Sequence, residues 1–190
     1  MPKTTSTSEN AKISLAALHL AATRGWESVT LALVAKQAKI PPDRLKKHFK
    51  AVPDLIPLIA EEIDRMALAS MGKATGVAHD VLFDLLMARF DILQKNRKAI
   101  LSIAQAAHRD RSLSCALARA TFDGSYRLID AARLDKPPRP ILAAGLSAIY
   151  SWAFYVWRKD ESRDMGKTMA ALDRTLRVAG KAAELLKPKF

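Results

Sequence analysis

Residues 30–49 read TLALVAKQAKIPPDRLKKHF, and their pattern is the most informative in the chain. Apolar residues recur at helical spacing on both sides of the turn Lys39-Ile40-Pro41, which predicts helices over about 31–38 and 42–49. Thr30 immediately precedes the first of these helices, where its hydroxyl can act as an N-terminal cap. Two short amphipathic helices joined by a tight turn have the geometry of a helix-turn-helix, whose second helix enters the DNA major groove.

The second of these helices carries cations and hydrogen-bond donors on the face opposite its apolar residues. An Arg side chain can read guanine with two hydrogen bonds, and Lys or His side chains can grip phosphates. A phosphate can also be held by the Thr30 hydroxyl and the unpaired backbone N–H groups of the helix that it starts. The predicted DNA-contacting residues are Thr30, Arg44, Lys46, Lys47, His48 and Lys50.

Charge along the chain supports an anionic partner. The sequence of 190 residues has 31 Lys and Arg against 19 Asp and Glu, a formal net charge of +12. Residues 1–52 hold nine of the cations and three of the acids, so half of the excess lies in about a quarter of the chain. Such an excess favours a nucleic acid or an anionic membrane surface as partner.

Helical periodicity continues to the end of the chain and predicts an all-α protein of about nine helices. The breaks at Gly25, Gly72–Gly76 and Lys136–Pro140 separate the helices. We expect a disordered tail over residues 1–10, a helix-turn-helix domain over 11–52, and a helical domain for ligand binding and dimerisation over 53–190. The predicted helices span about 10–24, 31–38, 42–49, 53–71, 79–94, 96–108, 112–133, 141–158 and 162–186.

The stretch ISLAALHLAATRGWESVTLALVAKQAKIPPDRLKKHFKAVPDLIPLI resembles the N-terminal domain of the TetR family of transcriptional regulators, over about residues 11–60. The resemblance implies a TetR-like fold with an N-terminal three-helix helix-turn-helix domain and a C-terminal helical bundle. It further implies that Thr30 and Lys47 contact phosphates, and that Pro42, Asp43 and Arg44 face base edges. It rests on Gly25-Trp26, Thr30, Ala35, Ile40, Leu45, His48-Phe49 and Leu55.

Four positions depart from the pattern of that family. The family usually has Gly where Lys39 stands, at a site that often needs a left-handed backbone. It usually has Ser or Thr where Pro41 stands, an aromatic residue at Lys46, and a phosphate-gripping Lys at Val52. The additional charges at Lys46 and Lys50 are expected to compensate for the missing Lys.

Aromatic and other large apolar side chains recur along the C-terminal helices. They are candidates for the lining of an apolar cavity between helices, which would bind a small apolar effector. The other interpretation, that they are ordinary core residues, stays open. The candidate lining residues are Phe83, Met87, Phe90, Phe122, Tyr126, Tyr150 and Phe154.

The last two predicted helices indicate a homodimer. One carries small side chains along a face, which permits close helix contact, and the other adds an apolar stripe; burial within one chain is the alternative. By the resemblance, two such helix pairs form a four-helix interface, which places two recognition helices on one palindromic operator of double-stranded DNA. The candidate interface residues are Ala144, Ser147, Ala148, Ser151, Leu172, Leu176 and Ala179.

A second resemblance covers about residues 81–180. LFDLLMARFDILQKNRKAI and ILAAGLSAIYSWAFYVWRKDESRDMGKTMAALDRTLRVA are similar to the TetR-like ubiquinone-biosynthesis lipid-binding family. It implies an alternative function, a lipid- or isoprenoid-binding accessory protein of quinone biosynthesis with a degenerate helix-turn-helix. That family uses a further C-terminal helix for membrane contact, for which the sequence up to Phe190 leaves no room, and this favours the regulator.

Catalysis, metal binding and cofactors find no support in the sequence. The four His residues are scattered, and no His-Glu-x-x-His pattern, phosphate-cradling Gly loop or nucleophile elbow occurs. Cys115 is the single cysteine, and its apolar helical surroundings predict a buried side chain. The pair Asp160-Glu161 stands at a predicted helix start, where capping explains it.

The N-terminus lacks the apolar run of a signal peptide, and the longest apolar candidate, Pro140 to Trp157, ends at Arg158-Lys159-Asp160. We therefore expect a cytoplasmic protein without stable membrane insertion. The expected function is a repressor that leaves DNA when an apolar effector enters the C-terminal domain and moves the fourth helix.

Overall fold

The computed structural model describes residues 7–71, 76–135 and 137–185 of the chain. These residues form nine α-helices and two short 3-10 segments without any strand, which confirms the predicted all-α fold. The 3-10 segments are Trp26–Ser28 and Val52–Leu55. The helices are α1 Thr7–Arg24, α2 Leu31–Ala38, α3 Pro42–His48, α4 Ile56–Met71, α5 Ala78–Lys95, α6 Arg97–Ala107, α7 Arg111–Ala131, α8 Arg139–Lys159 and α9 Gly166–Leu185.

The first helix begins earlier than its sequence suggested. α1 starts at Thr7, so residues 7–10, which were predicted to belong to a disordered tail, are helical. Glu9 lies in the first turn, where a negative charge is favourable beside the unpaired backbone N–H groups. Residues 1–6, the rest of the predicted tail, lie outside the described part of the chain.

The turn between α2 and α3 has the left-handed backbone that the TetR pattern implied. Lys39 has φ 57° and ψ 44°, a region that disfavours side chains with a Cβ atom. The N–H of Lys39 bonds to the Lys36 carbonyl at 3.2 Å, and the N–H of Ile40 bonds to the Ala35 carbonyl at 2.9 Å. This pair of bonds closes the C-terminus of α2 and sets the direction in which α3 leaves.

A 3-10 turn precedes α4 where a continuous helix from Pro53 was expected. The Asp54 carboxylate accepts hydrogen bonds from the backbone N–H groups of Lys50 and Ala51, at 2.8 and 2.9 Å. These bonds tie the end of the α3 segment to the turn at Val52–Leu55, and regular α-helix begins only at Ile56.

The described residues divide into two compact units. Unit 1 contains the residues up to Met66 together with Asp91–Ala120, and unit 2 contains Ala67–Phe90 and the residues from Thr121 onward. α4, α5 and α7 therefore each contribute residues to both units. The boundary predicted between residues 52 and 53 separates DNA binding from ligand binding. It does not coincide with a boundary between the two compact units, and it remains a prediction.

Unit 1 combines the first three helices with α6. α1 packs against α2 and α6, and the backbone N–H of Trp26 donates to the Ser102 hydroxyl of α6 at 2.7 Å. This long-range bond explains why α6 groups with the N-terminal helices. The fully buried side chains of the unit include Ile13, Ala17, Val34, Ala35, Leu45, Leu55 and Leu113.

Unit 2 contains the pair α8 and α9, which pack against each other. The residue that joins them, Asp160, is 0% exposed. Its Oδ2 accepts from the Thr168 N–H and hydroxyl, both at 2.8 Å, and its Oδ1 accepts from the Ser162 N–H and hydroxyl. Because Thr168 lies in the first turn of α9, these bonds confirm capping by Asp160, although α9 begins at Gly166 rather than at about residue 162 as predicted.

Burial raises the pKa of Asp160, but the hydrogen bonds from Ser162 and Thr168 lower it by more, so the pKa falls to about 2. The carboxylate is therefore ionised over the whole neutral range.

Cys115 is exposed on α7; the prediction of a buried thiol is wrong. The helical pattern around it was read correctly, but Cys115 lies on the solvent side of the helix rather than beside Leu113, which is buried.

Candidate DNA-binding interface

α3 presents one apolar side chain inward and a polar face outward. Leu45 is 1% exposed, and Phe49, at the end of the helix, is half-buried. These two side chains hold α3 on unit 1, which leaves the opposite face in solvent. Its exposed residues are Pro42, Asp43, Arg44, Lys46 and Lys47, while His48 is half-buried, and Lys50 is exposed just beyond the end of the helix.

Thr30 takes the role that its sequence position predicted. It has an extended backbone, and its Oγ1 accepts a hydrogen bond from the Leu33 N–H at 3.2 Å. The residue is exposed, so its hydroxyl lies at the N-terminus of α2 within reach of solvent. Unlike α2, α3 has no side-chain cap, because Pro41 stands at its N-cap position.

Positive charge dominates this segment. Residues 30–50 contain six Lys and Arg and one Asp, a formal charge of +5. All six cations are exposed, and Arg44 among them also forms an ion pair with Glu9. An anionic surface is therefore the partner that the electrostatics of this segment favour.

Arg44 is engaged by a residue that the sequence had not singled out. Its Nη2 lies 2.9 Å from Oε2 of Glu9 on α1, and the side chains are 58% and 12% exposed, respectively. Both residues line a surface groove of about 710 Å³ between α1 and the turn that joins α2 to α3. Sequence reasoning missed Glu9 because it fell in the predicted tail, and no motif marks it.

Ring contacts connect part of the predicted effector pocket in unit 2. The Phe90 ring lies 5.6 Å from the Tyr150 ring, which lies 6.2 Å from that of Phe154. Phe90 is fully buried, whereas Tyr150 and Phe154 are half-buried. Arg89, a buried cation that was not among the candidate lining residues, lies over the Tyr150 ring at 4.6 Å.

The other candidate lining residues lie in different surroundings. Phe122 and Tyr126 contact each other edge to face at 5.4 Å, and Phe122 is exposed. Phe83 stacks on His79 at 6.5 Å, and Met87 is half-buried. Phe90, Tyr150 and Phe154 are thus the part of the set that forms one aromatic cluster.

The predicted dimer residues fall into two classes. Ala144, Ala148 and Ser151 are exposed on α8, as an interface requires. Leu172 and Leu176, however, are 0% and 4% exposed within the single chain. They belong to the chain's own core, which corrects that part of the prediction.

Two further predicted interface residues are half-buried. Ser147 shares a hydrogen bond of 2.9 Å with Ser125, and Ala179 lies on α9. Large apolar side chains that the sequence analysis had not assigned extend the exposed face of α8. They are Ile141, Trp152 and Tyr155, which are 57%, 52% and 46% exposed.

Within the described residues, α8 is also the one helix long and apolar enough to cross a membrane by length and composition, with mean hydropathy 1.3. The apolar run Pro140 to Trp157 is shorter than this helix, which extends beyond both ends of the run. No group of three or more His, Cys, Asp or Glu side chains in the described part of the chain is placed to hold a metal ion.

Comparison with solved structures decides the fold. A TetR transcriptional regulator from Nitrosomonas europaea ATCC 19718 superposes with a TM-score of 0.69 at 24% identity, covering 90% of this chain and 98% of its own. The chain has the TetR fold. No protein-family model and no curated protein matches the sequence.

Two further structures with the TetR fold illustrate the range of the similarity. A TetR transcriptional regulator from Rhodococcus sp. RHA1 has a TM-score of 0.64 at 18% identity, covering 90% of this chain and 94% of its own. The multidrug binding protein EbrR, solved in complex with imidazole, has a TM-score of 0.53 at 17% identity and covers 88% and 94%. These comparisons confirm the TetR-like fold that the N-terminal resemblance implied, while the resemblance to the ubiquinone-biosynthesis family is not confirmed.

Proposed function

We propose that the protein is a DNA-binding transcriptional regulator that acts through α3. The observation that carries this proposal is the exposed basic face of α3, fixed by buried Leu45 within a TetR fold. Arg44 is the proposed reader of base edges, with Pro42 and Asp43 beside it. Phosphate contacts are assigned to Thr30, Lys46, Lys47, His48 and Lys50. The proteins of TetR fold from Nitrosomonas and Rhodococcus are TetR transcriptional regulators, which supports the assignment.

We propose that α8 pairs with α8 of a second copy of the chain. Its exposed residues Ile141, Ala144, Ala148, Trp152 and Tyr155 recur three or four positions apart, which places them on one face. The small side chains permit close approach of two helices, and the large ones supply apolar area that water otherwise contacts. Such a dimer would place two α3 helices on a palindromic operator.

The proposed effector is a small apolar molecule, and the proposed mode of action is repression that the effector relieves. The aromatic cluster of Phe90, Tyr150 and Phe154 supports an apolar effector, since such side chains line small-molecule sites. The similarity to EbrR, a multidrug binding protein, points in the same direction. We also propose that the protein is located in the cytoplasm.

A salt titration of DNA binding tests the regulator directly. The wild-type protein is titrated onto DNA from upstream of its own gene and onto a scrambled duplex of equal length, between about 50 and 200 mM salt. Tight, steeply salt-dependent and sequence-selective binding is expected. Equal, weak binding to both duplexes would contradict the proposal, and copurifying lipid would then favour the lipid-binding alternative.

Lys47→Ala is expected to weaken binding to every DNA sequence alike. Lys47 is exposed on α3, and a lost phosphate contact reduces the slope of log K against log salt by about one. Fluorescence anisotropy on the upstream and the scrambled duplex measures both the affinity and the slope. Lys98→Ala removes the same charge from an exposed position on α6 and should leave the slope unchanged. A wild-type slope for Lys47→Ala would remove Lys47 from the interface.

Arg44→Ala is expected to lower operator affinity by about 1–3 kcal/mol and to relax the preference at one base pair. The measurement is a panel of operators in which each base pair is replaced in turn. Wild type should lose affinity at the position that Arg44 reads, and the variant should not. If the variant discriminates at every position as wild type does, Arg44 does not read bases.

A further inference from the structure

The surface groove of about 710 Å³ between α1 and the turn that joins α2 to α3 lies beside the proposed recognition helix. Arg44, the proposed reader of base edges, lines this groove. On the α1 side its lining includes exposed residues that recur three or four positions apart and therefore share one helix face. They are Ser8, Lys12, Leu15 and His19. The groove thus continues the polar surface of α3 onto a face of α1.

Positive charge prevails in this groove. Its charged lining residues are Lys12, Lys39, Arg44 and Glu9, three cations against one acid, so the formal charge is +2. The Glu9 carboxylate lies 2.9 Å from Nη2 of Arg44, so these two charges offset each other. Lys12 and Lys39 are both exposed, and neither forms an ion pair with an acidic side chain in the described part of the chain. Their two ammonium groups are therefore available to an anionic partner.

Apolar side chains accompany these cations. Leu15 is 52% exposed, Pro41 is exposed and Ile40 is half-buried, and all three line the groove. A DNA strand combines the same two features, because its anionic phosphates are separated by deoxyribose rings with apolar carbon atoms. Lys side chains suit such a surface, since their stems pack on apolar groups while their ammonium groups reach the charge. The lining therefore matches a sugar–phosphate backbone, to which most protein–DNA hydrogen bonds are made.

We propose that this groove binds the sugar–phosphate backbone of DNA next to the major groove that α3 enters, with Lys12 and Lys39 contacting phosphates. The inference rests on the proposed function, because it assumes that α3 meets DNA. It extends the interface beyond α2 and α3 to α1. Phosphate contacts carry no sequence information, so these two residues strengthen binding to every duplex alike.

Two substitutions remove the charges at little risk to the fold. Lys39 has φ 57°, a backbone that glycine adopts readily, so Lys39→Gly removes the ammonium group and relieves strain. Lys12 is exposed within α1, and Ala is the residue that a helix accommodates best. Thermal unfolding followed by circular dichroism should show that Lys12→Ala and Lys39→Gly are at least as stable as the wild type.

The test is the salt dependence of binding to a scrambled duplex, measured by fluorescence anisotropy. Each variant should reduce the slope of log K against log salt by about one, and the double variant by about two. Between about 50 and 200 mM salt, the wild type should therefore lose about tenfold more affinity than the double variant. Lys98→Ala, which removes an exposed charge from α6, should keep the wild-type slope.

Ethylation interference on the upstream duplex shows where the two residues bind. Ethylation neutralises a phosphate, so it blocks binding where a cation of the protein contacts that phosphate. Blockage at a particular phosphate should disappear for Lys12→Ala, and at another for Lys39→Gly. Both blockages should remain for Lys47→Ala, which is the matched variant on α3.

The outcomes separate this groove from the proposed function. Wild-type slopes for Lys12→Ala and Lys39→Gly, with a reduced slope for Lys47→Ala, would overturn the groove and leave the regulator intact. A wild type that binds neither duplex would refute the regulator itself, and the groove with it. Reduced slopes with the ethylation pattern of the wild type would mean that Lys12 and Lys39 act through net charge rather than by contact, which also overturns the proposal.

Discussion

Asp160→Ala is expected to lower the free energy of unfolding by about 3 kcal/mol or more. The substitution removes an acceptor that serves the N–H and hydroxyl of Thr168 and those of Ser162. Thr168 is 0% exposed, so its donors would remain buried without a partner, at about 1–3 kcal/mol each. Urea-induced unfolding followed by circular dichroism measures the loss.

Asp164→Ala is the matched control, because Asp164 lies in the same connection but is exposed and accepts one bond, from the Gly166 N–H at 3.3 Å. It should cost less than about 1 kcal/mol. Equal losses from the two variants would mean that the network around Asp160 does not hold α8 to α9.

The Asp160 carboxylate makes the free energy of unfolding depend on pH between about pH 4 and pH 2. The pKa of Asp160 falls from 3.8 to about 2 on folding, so its ionised form favours the folded state. This contribution, about 2 kcal/mol, is complete above about pH 4 and is lost as the pH falls toward 2. The difference in stability between wild type and Asp160→Ala should therefore shrink between pH 4 and pH 2, and a constant difference would contradict the low pKa.

Trp152→Glu is expected to convert the proposed α8-mediated dimer into monomers and to weaken operator binding by about 100-fold or more. Trp152 is 52% exposed on α8, so the substitution leaves the core of the single chain intact. Two copies would bring two carboxylates together in an apolar interface, where burial of charge is costly. A monomer contacts the operator with a single recognition helix. It therefore loses the gain in affinity that comes from binding two linked half-sites, typically about 10²–10⁴-fold.

Sedimentation equilibrium gives the mass, and titration of the palindromic operator gives the affinity. Val77→Glu places the same charge at an apolar side chain of unit 2 that is 65% exposed and lies outside α8; it should remain dimeric. A Trp152→Glu protein with the wild-type mass would exclude this face of α8 as the interface.

Local features of the fold were predicted well because neighbouring residues determine them. Helices α2 and α3 match their predicted spans within one residue, since apolar spacing, Thr30 and the turn at Lys39 all lie within the segment. The α8–α9 break was likewise marked by adjacent residues, with Asp160 at its start.

Features that depend on a contact with a residue far away in the sequence, or in another chain, were predicted less well. An apolar stripe such as Leu172 and Leu176 has the same pattern whether its own chain or a second chain covers it, so the sequence could not tell core from interface. Glu9 depends on Arg44, 35 positions away, and its polar neighbours suggested a tail. The aromatic residues of α5 and α8 could be listed from sequence, but only the structure distinguishes the cluster around Phe90 from the pair at Phe122.

The exposed thiol on α7 offers a direct way to observe the molecule. Cys115 is the single cysteine of the sequence and is exposed, so maleimide reagents should attach one fluorophore or spin label per chain without any substitution. In a two-fold assembly this yields one distance between equivalent labels. Pulsed electron paramagnetic resonance on the unmodified sequence can therefore follow how that distance responds to DNA and to candidate effectors.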